Sequence, residues 1–152
     1  MTEHPHAVTV QIQRLPHAPA QLPSYATAGA AGMDVRYAGD DVTVEPGHRL
    51  LLPTGFCVAV PTGYEAQIRL RSGFALQTGL ILLNAPGTID SDYRGEVKIL
   101  LMNPGILAVD IKPGERIAQL VIAPVARCSL EEVERLPETE RSGGGFGSTG
   151  RQ

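Results

Sequence analysis

The stretch "GHRLLLPTGFCVAVPTGYEAQIRLRSG", residues 47–73, decides the fold class. It contains three short, mainly apolar runs separated by two Pro-Thr-Gly triplets, at 53–55 and 61–63. Proline presets φ for the first central position of a turn and glycine accepts a positive φ, so each triplet predicts a turn. Three strands joined by tight turns are typical of an all-β protein.

The rest of the chain continues this pattern. Residues 7–13, "AVTVQIQ", alternate apolar and polar side chains, which predicts a strand with one buried face. Further strand-like runs, each bounded by turn residues, cover 79–84, 95–105, 107–114 and 116–125. Short strands at regular spacing indicate a β-sandwich or barrel.

Two segments depart from the strand pattern. Residues 73–79 predict a short helix. Residues 129–140, "SLEEVERLPETE", have the charges of a helix but also fit the end of a strand followed by a linker. Beyond about residue 137 the chain is polar or glycine-rich, so we expect one ordered domain over residues 1–137.

Composition limits the classes of function. The chain has 152 residues, 43% of them hydrophobic but only 5% aromatic, which predicts one domain with a mainly aliphatic core. A net charge of −3 argues against a general nucleic-acid-binding surface, although it allows one small cationic pocket. The apolar runs are too short to span a membrane, and the first residues lack the features of a signal peptide. We therefore expect a cytoplasmic protein in which Cys57 and Cys128 are free thiols.

The densest polar cluster is "NAPGTIDSDYRGE", residues 84–96, which lies between two apolar runs. Asp90 follows Ile89, and burial of Ile89 would fix the backbone at that point. A carboxylate at the end of a strand is well placed to act as a general base. An Asx turn explains Asp90 equally well and is the favoured interpretation of Asp92.

Other signals are weak when each is taken alone. Arg71, Ser72 and Gly73 end a strand with groups that suit phosphate oxygens, but the arginine also fits a solvated strand face. Gln119 lies in an apolar strand, where an amide serves as a structural hydrogen bonder or as a ligand contact. Asp34 begins a strand in "AGMDVR". The segment "RSGGGFGSTG", 141–150, lacks the lysine and the following helix of a P-loop, so composition alone indicates a polar tail.

Taken together, these segments resemble the five motifs of the trimeric dUTP diphosphatases. The ordered set is "AGMDVR", "RSG", "NAPGTIDSDYRGE", "GERIAQL" and "RSGGGFGSTG", and it spans about residues 25–150. Two departures are small: Val35 and Phe74 stand where leucine is usual or common. Neither position has a polar role in the family.

The resemblance implies a fold, an assembly and a reaction. The fold would be a distorted antiparallel jelly-roll, in a homotrimer with its active sites at subunit interfaces. A mobile C-terminal arm, residues 138–152, would close over bound nucleotide. The enzyme would hydrolyse dUTP to dUMP and pyrophosphate, with Asp90 as the base that activates water to attack the α-phosphorus. This activity would keep uracil out of DNA and supply dUMP for thymidylate synthesis.

The resemblance also implies roles for individual residues. One Mg²⁺ would be held by the three phosphates and by waters, with Asp34 touching it only through water. Tyr93 would pack on the deoxyribose and exclude a 2′-hydroxyl. The remaining substrate contacts would be Arg71, Ser72, Gly73 and Gln119 to phosphates, Asn84, Gly87, Thr88, Ile89 and Lys98 to uracil and sugar, and Arg141, Phe146, Gly147 and Ser148 from the arm.

Two alternatives remain open on the sequence. A dCTP deaminase shares the fold, but it would need an acid–base carboxylate beside the base rather than beside the α-phosphate. A β-sandwich that binds nucleotide or protein without catalysis is the rival from another class. The combination of Asp90, Arg71, Gln119 and Arg141 favours catalysis, and the "IDSDYRG" hairpin with the phenylalanine-bearing tail favours the diphosphatase.

Overall fold

The computed structural model describes residues 8–144, which form antiparallel strands and one short helix. The elements are β1 (Gln11–Arg14), β2 (Ser24–Tyr25), β3 (Met33–Arg36), β4 (Val42–Val44), β5 (Arg49–Ala59), β6 (Tyr64–Leu70), α1 (Ser72–Thr78), β7 (Ile81–Leu82), β8 (Gly87–Ile89), β9 (Glu96–Met102), β10 (Val109–Ile111) and β11 (Arg116–Pro124). The predicted all-β, antiparallel jelly-roll fold is confirmed.

The strands form three sheets around one core. A four-stranded sheet has the order β1-β5-β9-β7, a five-stranded sheet the order β2-β3-β11-β6-β8, and β10 pairs with β4. Side chains of β6 and β9 alternate between buried and more exposed positions because one face of each sheet covers the core. The core is mainly aliphatic, as predicted, and its largest fully buried side chains are Phe56, Leu80, Ile99, Leu101, Ile111, Ile117 and Leu120.

The turn predicted at 53–55 is wrong. Strand β5 continues through this triplet, and only its register with β9 shifts, between Pro53 and Cys57. Gly55 has φ 76°, so the triplet forms a bulge inside one long strand. The same triplet chemistry at 61–63 does form the predicted turn, closed by a 3.2 Å hydrogen bond from the Tyr64 N–H to the Pro61 carbonyl. The two triplets differ because of their neighbours in the fold: the chain on both sides of 53–55 pairs with β9, which keeps it in one strand.

Other predicted elements match in type but differ in length. Helix α1 agrees with the predicted helix to within one residue and ends at Gly79, which has φ 70°. The strand predicted over 7–13 is observed at Gln11–Arg14, and the run at 79–84 contains only Ile81–Leu82 in strand conformation. Residues 129–140 form neither a helix nor a strand, so the helical interpretation of that segment is wrong. Within residues 8–144, no helix is long and apolar enough to cross a membrane.

Candidate active site

A cavity of about 240 Å³ opens where β8 and the loop after it meet β6 and β9. All the residues predicted to contact uracil and sugar line it, together with the predicted base Asp90. The lining residues are Leu51, Ile68, Leu82, Asn84, Gly87, Thr88, Ile89, Asp90, Tyr93, Glu96, Val97 and Lys98. The sequence interval 84–98 therefore folds around one concave site.

Strand pairing positions Asp90 at the cavity. Strand β8 pairs with β6, with Gly87 opposite Ile68, and a Cβ added at Gly87 would lie 3.3 Å from the Ile68 Cβ. Ile89 is buried at the end of this strand and anchors the backbone, whereas the next residue, Asp90, is exposed. Its carboxylate thus combines a fixed backbone with access to water.

A tight turn follows Asp90 and carries Tyr93 to the cavity wall. The Tyr93 N–H donates to the Asp90 carbonyl at 3.2 Å, and Asp92 lies within this turn. The Tyr93 hydroxyl donates to the Glu96 carbonyl at 2.9 Å. A Cβ at Gly95 would overlap the Tyr93 hydroxyl, so only glycine at position 95 leaves space for the ring in this position. Tyr93 as a whole remains 43% exposed and available to a ligand.

A second group of predicted residues surrounds Asp34 on β3. One carboxylate oxygen, Oδ1, forms an ion pair with Arg71 Nε at 2.9 Å, and the other, Oδ2, accepts a hydrogen bond from Arg116 Nη1 at 2.9 Å. Arg71 also donates to the Arg116 carbonyl at 3.3 Å. Sequence reasoning assigned no role to Arg116, although it lies within the quoted segment "GERIAQL". Its pairing with Asp34 depends on strand neighbours that are 82 residues apart in the chain.

Residues next to Arg71 complete this second group. Ser72 and Gly73 are exposed at the start of α1. Gln119 Nε2 donates to the Leu70 carbonyl at 3.3 Å, which gives the amide the structural hydrogen bond expected of it. Gly32 lies so close to the Gln119 side chain that a Cβ at position 32 would overlap the amide oxygen.

Within the described part of the chain, the cavity-lining residues and the residues around Asp34 are two separate sets. The first set contains the predicted general base Asp90 and the predicted contacts to uracil and sugar. The second set contains predicted contacts to the phosphates. Arg141 is exposed, and its Nε donates to the Gly144 carbonyl at 2.9 Å. The predicted arm contacts Phe146, Gly147 and Ser148 lie outside the described residues.

The donor groups around Asp34 suit a hydrated cation better than a directly ligated one. Each carboxylate oxygen is already paired with a guanidinium group, Oδ1 in an ion pair with Arg71 and Oδ2 through a hydrogen bond from Arg116. Within residues 8–144, no group of three or more His, Cys, Asp or Glu side chains could hold a metal ion. Mg²⁺ keeps several waters and is often held by substrate phosphates with one or two carboxylates, which fits this arrangement.

Glu96, at the cavity wall, is a second residue to which sequence reasoning gave no role. Burial acts to raise the pKa of its carboxyl. Hydrogen bonds from His17 and from the Gly55 N–H, with the charges of His17 and Lys98, nevertheless hold the pKa below its ordinary value. Glu96 is therefore an ionised carboxylate with a defined set of partners.

Comparisons with known proteins show the family of this chain. The dUTPase family model matches residues 18–150. A deoxyuridine 5'-triphosphate nucleotidohydrolase from Methylocella silvestris is 55% identical over 94% of this chain and 92% of its own length. One from Zymomonas mobilis is 56% identical over 94% of this chain and 98% of its own length.

Solved structures show the same fold. A variant dUTPase of Staphylococcus bacteriophage 80alpha, with dUpNHpp, has a TM-score of 0.85 and 29% identity, covering 95% of this chain and 100% of its own. A variant dUTPase from phage phi11 of S. aureus has a TM-score of 0.76 and 26% identity, covering 84% of this chain and 98% of its own. The structure of that phi11 protein shows the coordination of a structural Mg(II) ion.

Proposed function

The chain belongs to the dUTPase family and is a dUTP nucleotidohydrolase, and we propose that it cleaves dUTP to dUMP and pyrophosphate by attack of water on the α-phosphorus. The observation that carries this proposal is the position of Asp90. Its exposed carboxylate stands on a buried strand end at the rim of a cavity lined by the predicted uracil and sugar contacts. A carboxylate is a weak base at neutral pH, so it must be held in a fixed position and orientation toward one water molecule.

The cavity supplies base and sugar specificity. Close packing of Gly87 on Ile68 brings the backbone of β8 to the cavity wall, where its polar groups can read uracil through hydrogen bonds. A cytosine amino group would leave the same donors and acceptors unpaired, which costs more than a missing apolar contact. In our proposal the half-exposed Tyr93 packs its ring against the deoxyribose and excludes a 2′-hydroxyl.

The arginine cluster supplies charge stabilisation. In our proposal the phosphates are contacted by Arg71, Ser72, Gly73 and Gln119. Arg116 pairs with Asp34, as Arg71 does. Guanidinium groups bind phosphate oxygens through paired hydrogen bonds and favour the charge that builds up in the transition state. A bound Mg²⁺ would add positive charge at the phosphate oxygens, and Asp34 would meet it through water.

We propose that the complete site forms between subunits of a homotrimer. The separation of the cavity residues from the Asp34 cluster supports this, because one nucleotide must contact both sets. The C-terminal arm, residues 138–152, would supply Arg141, Phe146, Gly147 and Ser148. The product dUMP would serve thymidylate synthesis, and removal of dUTP would limit uracil in DNA. We place this activity in the cytoplasm, where the free thiols Cys57 and Cys128 stay reduced.

Pyrophosphate release with dUTP, dCTP, dTTP and UTP, each with and without Mg²⁺, tests the proposed reaction. We expect activity with dUTP and Mg²⁺, and far less with the other nucleotides. Ammonia release from dCTP would instead identify a deaminase. Binding without turnover of any of the four would identify a non-catalytic module.

Asp90→Asn tests the assignment of the base. It keeps the shape of the side chain but cannot accept the proton of water. Because general base catalysis contributes roughly 10²–10⁴-fold, kcat for dUTP should fall by that order while binding of dUpNHpp persists. Asp92→Asn is the matched control, since Asp92 lies in the neighbouring turn and should retain most activity. Near-normal turnover by Asp90→Asn would rule out the mechanism.

A further inference from the structure

A turn near the start of the described chain packs against the bulge of β5. The Leu15 N–H donates to the Gly55 carbonyl at 2.8 Å, and the Ala18 N–H donates to the Leu15 carbonyl at 3.0 Å. The approach is close enough that a Cβ at Gly55 would overlap Ala18 backbone atoms. This contact presents the His17 ring to the start of β9.

His17 reaches the cavity wall through Glu96. One Glu96 carboxylate oxygen, Oε1, accepts from His17 Nε2 at 2.7 Å and from the Gly55 N–H at 2.9 Å. The other oxygen, Oε2, lies 3.8 Å from Lys98 Nζ. The Glu96 side chain is only 15% exposed, whereas those of His17 and Lys98 are each 44% exposed. A carboxylate can only accept, so His17 carries its proton on Nε2.

The bulge explains why Glu96 takes this position. The register shift between Pro53 and Cys57 interrupts the pairing of β5 with β9. Between these two residues, the Gly55 N–H donates to the Glu96 carboxylate, so this backbone donor has a partner although it is buried. His17 then holds the same oxygen from the other side, which limits the rotamers open to a long side chain.

Glu96 and its neighbours form part of the nucleoside cavity. Glu96, Lys98 and Tyr93 all line it, and the Glu96 carbonyl accepts the Tyr93 hydroxyl. Movement of the Glu96 carboxylate would therefore change the position of the Lys98 ammonium group that the ligand meets, whereas Tyr93 is held by the Glu96 backbone carbonyl. His17 itself is not among the lining residues.

We propose that His17 is a positioning residue for the nucleoside cavity, which it orders through its hydrogen bond to Glu96. The proposal rests on the proposed function, because it concerns the binding of dUTP in that cavity. Since His17 orders the binding wall and makes no contact with Asp90, its loss should act on substrate affinity and leave the chemical step intact.

The test compares His17→Ala and His17→Gln with the wild-type protein. His17→Ala should raise KM for dUTP and Kd for dUpNHpp about three- to tenfold, the range that corresponds to ordering one long side chain of the binding wall on ligand binding. Its kcat should stay near the wild-type value, and its Tm should fall by no more than about a few degrees. His17→Gln retains a side-chain N–H that can donate to Glu96, so it should restore most of the lost affinity. His48→Ala is the control, because exposed His48 contacts its own loop at the Pro46 carbonyl.

A double-variant comparison tests the route through Glu96. In a Glu96→Ala background, His17→Ala should cause no further change in KM, since its partner is already absent. An equal effect in both backgrounds would overturn the proposal. If Glu96→Ala does not fold, the single His17 variants decide the question.

Other results also overturn the positioning role. They are an unchanged KM and Kd in His17→Ala, or a loss of kcat and Tm together with unchanged Kd. These outcomes leave the proposed function standing as long as the wild-type protein hydrolyses dUTP. A wild-type protein that neither binds dUpNHpp nor hydrolyses dUTP would reject both proposals.

Discussion

At the scale of single residues, the Tyr93 ring gives the sharpest prediction. Tyr93→Ala should lower dUTP turnover and reduce the ratio of dUTP to UTP activity by about tenfold or more, because it removes the ring that we propose excludes the 2′-hydroxyl. Tyr93→Phe keeps the ring and loses only the hydrogen bond to the Glu96 carbonyl, so it should keep most of the preference. Kinetics with both nucleotides measure this ratio. An unchanged ratio in Tyr93→Ala would place sugar discrimination on another residue.

Glu96 gives a prediction about pH. Its pKa is lowered in the folded protein from an ordinary value of 4.5, so ionised Glu96 stabilises the fold fully above about pH 4.5. This stabilisation is lost as the pH falls through the lowered pKa. Glu96→Gln cannot ionise, so the stability difference between wild type and Glu96→Gln should shrink as the pH falls from 6 to 3. Urea denaturation across this range measures it, and a difference that does not change with pH would contradict the assignment.

At the scale of elements, one buried amide joins two sheets. Asn103 is 1% exposed, and its Nδ2 donates to the carbonyls of Val44 and Leu107, both at 2.8 Å. Its Oδ1 accepts from the Gly105 N–H at 2.9 Å. Asn103 therefore ties the end of β9 to β4 and to the loop before β10.

Replacing Asn103 with alanine should lower the free energy of unfolding by about 1–3 kcal/mol, because buried backbone groups lose their partner. Thr43→Ala is the control, since it removes an exposed hydrogen bond between β4 and β10, from Thr43 to Asp110. That change should cost about 0.5 kcal/mol or less. Chemical denaturation distinguishes them, and equal effects would show that Asn103 is not a structural tie.

The elements also show what the sequence can predict. The strand-rich pattern, helix α1 and the turn at 61–63 depend on local chemistry, and the structure agrees with them. The bulge at 53–55 could not be distinguished from a turn, because the same Pro-Thr-Gly triplet forms a turn at 61–63. Pairing with β9 determines that residues 53–55 form a bulge instead. Contacts between distant residues, such as Asp34 with Arg116 and His17 with Glu96, arise only from sheet topology. Sequence motifs could therefore propose the cavity residues and Asp34, but not Glu96 at the cavity wall or Arg116 as the partner of Asp34.

At the scale of the whole molecule, we expect the proposed C-terminal arm to contribute to activity and not to folding. Residues 126–143 are exposed, so a chain that stops at Glu140 should keep its Tm to within a few degrees. It should lose about 100-fold or more in dUTP turnover, because misplaced phosphate contacts are that costly. A chain that stops at Gly150, where the family match ends, is the control and should stay active. Full activity of the shorter chain would remove the arm from the mechanism.

Mixed assemblies test whether the arm and Asp90 come from different subunits. Asp90→Asn protein and protein truncated after Glu140 should each be nearly inactive. Unfolding and refolding them together should restore part of the activity, since some sites then combine an intact Asp90 with an intact arm. If mixed trimers form and stay inactive, the arm acts on Asp90 of its own chain.

The separation of the cavity from the Asp34 cluster has a consequence for enzymology. If each working site is assembled from both sets on different chains, a chain that has dissociated has no complete site of its own. Specific activity per milligram would then fall on extreme dilution, well before the individual chains unfold. A progress curve started from a very dilute stock would then show a lag while chains reassociate, and the lag would shorten at higher enzyme concentration. Under this proposal the specific activity depends on enzyme concentration as well as on sequence.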